Sequence, residues 1–280
     1  MDLTTSLDEL ARSTTKVFVD GSIISTDYNG ADFPKESPDF AEHIGAKSRV
    51  KRRCGGSFGY RGIRFSYLNR QSSHTNAFAS FVRNNSHFTT TSDVVNEHHL
   101  LVTHLKRVLS THEKGKQGTM EQKLRKCANS HHEINYLLRG RVNNPDWPEL
   151  IDYIRDARLY SPRRNLFRKS KRVHYSHEDA GLVTAALMEC FDTDARVAII
   201  AQDFDIVNIA LQLGEDIATR RLPESLGILY EAPLASLRVY FPSNTDWIPN
   251  HELQFMVDTK LNMSYRENAG DLPRIERLRI

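Results

Sequence analysis

Cysteine is scarce in this chain of 280 residues: Cys54, Cys127 and Cys190 stand far apart, are odd in number and form no Cys-x-x-Cys pair. That excludes a disulfide framework and a paired-cysteine zinc site, and predicts reduced intracellular thiols. No apolar run approaches the ~18 residues that a membrane span needs. Met1 to Leu10 carries Asp2, Asp8 and Glu9 where a secretory signal would have a basic segment and then an apolar one. The expectation is a soluble cytoplasmic protein with no membrane partner. Phosphate-cradling glycine loops are lacking too, because Cys54-Gly55-Gly56-Ser57-Phe58-Gly59 has no Gly-Lys-Ser/Thr ending. Neither an internal repeat nor a low-complexity tract is present. Net charge is only +3, from 38 Lys+Arg against 35 Asp+Glu, and by itself it says nothing about partners.

The distribution of that charge says more. Ala46 to Arg70 holds eight basic residues and no acid, with Arg52, Arg53 and Arg61 lying close to Phe58, Tyr60, Phe65 and Tyr67. Tyr160 to Arg172 holds six more, among them Arg163, Arg164, Arg168 and Lys169, again with no acid. Clusters of one sign attract phosphate and interleaved aromatics stack on unpaired bases, so both stretches are candidate nucleic-acid contacts. The twelve histidines include the neighbours His98-His99 and His131-His132. Adjacent histidines face different ways and lack His-x-x-x-His spacing, although His131 and His132 could each contribute singly.

Local patterns predict alternating strands and helices. Lys16-Val-Phe-Val-Asp20 is a short buried strand punctuated by Gly21-Ser22. A further strand is expected at Ile63 to Leu68, and a helix over Asp93 to Leu109 with Ser92 as N-cap. Another helix starts at Thr119, where Thr119-x-x-Gln122 is a capping box. Glu133 to Val142 fits a strand or a helix equally. Asp146 to Leu159 reads as helical, with Pro148 tolerated in the first turn. Ser176-His-Glu-Asp179 opens a helix to about Phe191. Arg196 to Ala201 is an apolar strand of the kind buried on both faces, and Asp203 to Leu213 is a helix stopped by Gly214. Leu226 to Tyr230 and Leu237 to Phe241 resemble edge strands bounded by prolines. Helix, strand and helix in this order imply an α/β layered domain. The expected organisation is one domain over 1–242, with a basic insertion around 31–75 and a helical middle region over 92–172, followed by a C-terminal extension over 243–280.

Four aspartates carry the chemistry. Asp20 ends one strand and Asp203 follows another; Asp205 begins the next helix and Asp179 lies in the first turn of the preceding one. In an open parallel sheet the carboxyl ends of strands share one edge, and the helices after them start there, so all four can converge. Clustered carboxylates stay ionised together only around a cation, and hard oxygen ligands suit Mg²⁺ or Mn²⁺. Taken singly, each has an ordinary reading: Asp179 in a capping box with Ser176, Asp203 as an N-cap, and Asp205 and Glu178 at a helix dipole.

These segments resemble PIN-like nucleases, including their NYN branch. Lys16-Val-Phe-Val-Asp-Gly-Ser22 looks like the first motif, a hydrophobic strand ending in an aspartate with a small polar residue, Ser22, two places on. Asp179-Ala-Gly-Leu-Val-Thr-Ala-Ala-Leu187 resembles the aspartate-led helix, and Val197-Ala-Ile-Ile-Ala-Gln-Asp-Phe-Asp205 the strand ending in Asp-x-Asp. The resemblance implies a three-layer domain with a mostly parallel central sheet flanked by helices. It also implies that Asp20, Asp179, Asp203 and Asp205 hold one or two Mg²⁺ or Mn²⁺ ions, as ligands and catalytic residues of an endoribonuclease that cleaves single-stranded RNA with metal-activated water. One more helix-borne acid is expected, for which Asp93, Glu97, Glu133 and Asp152 stay open. The alternative is a protein of the same fold that binds RNA or acts as a scaffold without turnover. A homodimer, and a protein partner such as an antitoxin, stay open as well. Other aspartate-led motifs fit less well: a haloacid dehalogenase-type phosphatase needs aspartate where Ser22 stands, and an Asp-x-Ser-x-Ser motif needs serine where Ile24 stands.

Overall fold

The computed structural model describes residues 4–24, 76–112, 119–156, 175–201, 203–231, 234–242 and 252–259. The strand expected at Ile63 to Leu68 lies outside the described residues, as do both basic stretches. In chain order the elements are β1 (Thr4–Ser6), α1 (Leu7–Ser13), β2 (Lys16–Val19), α2 (Gly21–Ile24), α3 (76–84), β3 (Phe88–Thr89), α4 (Ser92–His112), α5 (Thr119–Arg139), α6 (Pro148–Asp156), α7 (His177–Glu189), β4 (Val197–Ile200), α8 (Phe204–Ala218), a 3₁₀ turn (Glu224–Leu226), α9 (Ile228–Glu231), β5 (Leu237–Pro242) and β6 (Glu252–Asp258).

One sheet of six strands, ordered β1-β6-β5-β4-β2-β3, organises them. β5, β4, β2 and β3 run parallel to one another, whereas β6 is antiparallel to both β5 and β1. The protein is therefore α/β, with a mostly parallel sheet flanked by helices. All four residues of β4 are buried, and successive strand residues point to opposite faces, so both faces of the sheet are covered at its centre. Beyond β3, Phe78 and Phe81 of α3 meet the Phe88 ring edge to face at 6.5 and 5.2 Å.

Three expectations need correction. The segment Leu226–Tyr230 is helical, because Leu226 and Leu229, three residues apart, are the buried pair while Ile228 faces out. β5 forms where expected but lies inside the sheet between β4 and β6, with its proline at the last position. The helix after Asp203 passes through Gly214 and reaches Ala218. A helical glycine costs only about 1 kcal/mol; against that, Leu213 is buried, and Tyr153 Oη and Gln212 Nε2 both donate to the buried Asp216 carboxylate. The stop comes at Arg220, whose φ of 52° takes the left-handed position usually given to glycine. Arg221 N–H then reaches Asp216 O and Arg220 N–H reaches Ile217 O, which together close the helix end. The open segment Glu133–Val142 resolves as helix as far as Arg139. β6 (Glu252–Asp258) lies inside the sheet between β1 and β5.

The strand order has one functional consequence. The chain leaves β2 for β3 on one side and returns to place β4 on the other, so the order reverses between β2 and β4. The crevice beyond the carboxyl ends of such a strand pair is the usual ligand position in open α/β sheets.

Candidate metal centre

The residues that follow β2 and β4 fill that crevice. The β2–β4 ladder runs from Lys16↔Val197 to Val19↔Ile200, and Asp20 N–H continues it to Ile200 O at 3.0 Å. Asp20 is thus fixed at the end of the sheet. Its Oδ2 accepts from Ser22 N–H at 3.1 Å and from the Ser22 hydroxyl, so Ser22 sets the carboxylate rotamer and Asp20 caps the short helix α2. Asp179 enters from α7. Ser176 Oγ caps that helix through Asp179 N–H at 3.0 Å, so the Asp179 carboxylate sits at the helix N-terminus facing the same edge. Asp203 caps α8 as expected, with Oδ1 accepting Asp205 N–H at 2.9 Å. Capping engages one carboxylate oxygen and leaves the other for a ligand.

One carboxylate oxygen each of Asp179, Asp203 and Asp205 lies within 4.8 Å of the others. Oxygens gathered this closely are the kind of donors that would hold a hard divalent cation such as Mg²⁺ or Mn²⁺. Asp20 stands beside this set rather than within it, but its field and that of Asp203 act on each other. Burial, and then the Asp203 charge, push the Asp20 carboxyl up to about 6, although Ser22 pulls the other way. Asp179 is held well above the usual carboxylate range by burial first, then by Asp203 and Asp20. Asp20 and Asp179 are only 8 % and 9 % exposed. Among the described residues neither forms an ion pair with a cationic side chain. Four carboxylates at one edge, two of them desolvated, make a donor set that a hard divalent cation fits.

The structure also narrows the search for a helix-borne acid. A Cβ added at Gly21 would stand 3.3 Å from Glu97 Oε2, which places the Glu97 carboxylate directly over the residue after Asp20. Asp93 Oδ2 lies 4.0 Å from the same point on Gly181, two residues past Asp179, and 3.8 Å from His177 Nε2. Both acids come from the first turns of α4, which starts at this edge because β3 ends there. Glu133 instead pairs with Arg83, and Asp152 with Arg155. Sequence spacing could not choose among the four, since the choice rests on where β3 delivers α4.

Arg52, Arg53, Tyr60, Arg61, Arg163, Arg164, Arg168 and Lys169 lie outside the described residues. Among the described residues no helix is long and apolar enough to cross a membrane. Searches of known protein families, curated proteins and solved structures return no match to this chain.

Proposed function

We propose that this chain is a PIN-like, divalent-metal-dependent endoribonuclease acting on single-stranded RNA. The observation that carries the reading is the convergence of Asp179, Asp203 and Asp205 within 4.8 Å at the point where strand order reverses, with Asp20 beside them. Mg²⁺ or Mn²⁺ bound there would supply Lewis acidity toward a phosphoryl oxygen and lower the pKa of water.

The protein's own part is positional. Asp179, Asp203 and Asp205 hold the ion, while Asp20, oriented by Ser22, completes the negative wall. Glu97 and Asp93 supply further carboxylate on the side of α4. Buried walls keep the local dielectric low, so each charge interaction across the pocket is stronger than in water. The test is incubation of purified protein with labelled single-stranded RNA and Mn²⁺ beside an Asp203→Asn variant. Metal-dependent cleavage in the parent alone supports the reading. RNA binding without cleavage in both proteins replaces it with a binding or scaffold role.

A further inference from the structure

Asp205, Asn208, Gln212 and Asp216 stand three or four residues apart on α8, so they form one polar stripe along the helix. The far half of that stripe is satisfied. Gln212 Nε2 donates to both oxygens of the Asp216 carboxylate at 2.8 and 2.7 Å, and Tyr153 Oη of α6 donates to Asp216 Oδ2 at 2.8 Å. Asn208, in the half nearer the acidic edge, is not. It is 8 % exposed, and its side-chain amide makes no hydrogen bond among the described residues. Neither Oδ1 nor Nδ2 of Asn208 is among the unbonded polar atoms that are sealed from solvent, so the amide keeps a narrow opening to water. Its direction follows from the helix. Helical side chains lean toward the helix N-terminus, which places the Asn208 amide over the turn that carries Asp205, one of the three carboxylates gathered within 4.8 Å.

We infer that Asn208 is a further donor of the cation centre, offering Oδ1 as a neutral oxygen beside Asp205. The inference rests on the metal-dependent reading above and adds a residue to it. A polar group held nine-tenths buried without a bond opposes folding, and in native proteins such a group is rare enough to call for a partner from outside the chain. The chemistry of the site names one. Ionised around a cation, the four aspartates already exceed the charge of one divalent ion, so another acid would add repulsion, whereas an amide oxygen adds a hard donor at no charge. Packing does not ask for an amide here. The residues around it on α8, Ile206, Val207, Ile209 and Ala210, are all buried and apolar, and leucine would fill nearly the same space.

The experiment titrates the metal-free full chain with Mn²⁺ alone, read by the electron paramagnetic resonance of free Mn²⁺, and follows thermal midpoints in EDTA. Asn208→Leu should raise the Mn²⁺ dissociation constant about 10–100-fold while its midpoint in EDTA equals or exceeds the parent's, because no hydrogen bond is lost. Asn208→Asp returns an oxygen to the same place and should bind Mn²⁺ at least as tightly as the parent, with a lower midpoint in EDTA from the like charge added beside Asp205. Parent-like Mn²⁺ affinity in Asn208→Leu overturns the inference, and a raised KM for RNA in that variant would then make the amide a substrate contact instead. A lower midpoint in Asn208→Leu, with weak Mn²⁺ binding that Asn208→Asp does not restore, overturns it in favour of a structural role. The two readings fail separately. A parent that binds Mn²⁺ through Asn208 but never cleaves RNA sinks the nuclease alone, whereas loss of Mn²⁺ in Asp203→Asn with full retention in Asn208→Leu sinks the inference alone.

Discussion

Strand β2 and helix α7 meet twice, once at each end, and the two meetings are built on opposite rules. At the amino end of the strand, Lys16 Nζ pairs with Glu189 Oε1 at 2.6 Å, and Asn143 Nδ2 donates to the same oxygen at 2.5 Å. At the carboxyl end, four residues later, Asp20 faces the field of Asp179 from the first turn of the same helix. One end matches unlike charges where water still reaches them. The other gathers like charges where water largely does not. Folding alone favours the first arrangement, because burying carboxylates beside one another without a counter-charge opposes it. The second persists because the surrounding backbone over-determines it, and such sites are where function is expected.

The largest effect that should follow is on catalysis. Asp203→Asn keeps a side-chain oxygen able to cap α8 but removes a ligand charge, so RNA cleavage should fall more than about 100-fold while the thermal midpoint changes little. Single-turnover cleavage with Mn²⁺ measures the first and calorimetry the second. A variant that cleaves like the parent would leave the carboxyl-end cluster no more functional than the amino-end pair.

The next effect is on stability, and its sign is unusual for an acid. Asp20 titrates near 6 when folded and near its ordinary 3.8 when unfolded. Between those values the folded state binds more protons, so in metal-free protein this residue costs stability as pH rises from about 4 to 7. The full cost is roughly 3 kcal/mol at about 1.4 kcal/mol per pH unit. Asp20→Asn should therefore be more stable than the parent at pH 7 by up to that amount and about equal to it near pH 4. Urea titrations at the two pH values test this. A variant that is less stable at pH 7 would mean that the Asp20 charge is already compensated. Somewhat smaller is the response to metal: Mn²⁺ at about 100 times its dissociation constant should stabilise the parent by about 2.7 kcal/mol and Asp203→Asn by much less, closing the gap between the two ends of α7.

Sequence made the edge legible because it depends on local features. A β-branched run ending in Asp20, an N-cap at Ser176 and a strand leading into Asp203-Phe-Asp205 each declare themselves within a few residues. The layered α/β class followed from the same runs. What stayed hidden depends on distant packing. Glu97 reaches Gly21 only through the placement of α4 after β3. β6 pairs with both β5 and the N-terminal strand β1, a contact no window of sequence contains. Leu226–Tyr230 misled because a short apolar run bounded by prolines fits a strand as well as a helical turn. The paired histidines divided in a way that only helix contact decides: His98 and His131 turn inward to each other, and burial then pushes His98 down to about 3.

The smallest effect belongs to the amino end, and it completes the contrast. Lys16 and Glu189 are 32 % and 31 % exposed, so solvent screens much of their attraction. Exposed pairs contribute about 0.2–1 kcal/mol, and this one sits toward the upper part of that range because Asn143 helps to fix the Glu189 carboxylate. A double-mutant cycle with Lys16→Met and Glu189→Gln should return a coupling of about 0.5–1 kcal/mol that shrinks in high salt, with RNA cleavage unchanged in all three variants. Zero coupling would reduce the pair to a solvated contact, and the difference between the ends would then be one of burial alone. Lost cleavage would show that α7 transmits a change at Glu189 to Asp179, which is possible only if the helix moves as a rigid rod between the two edges of the sheet.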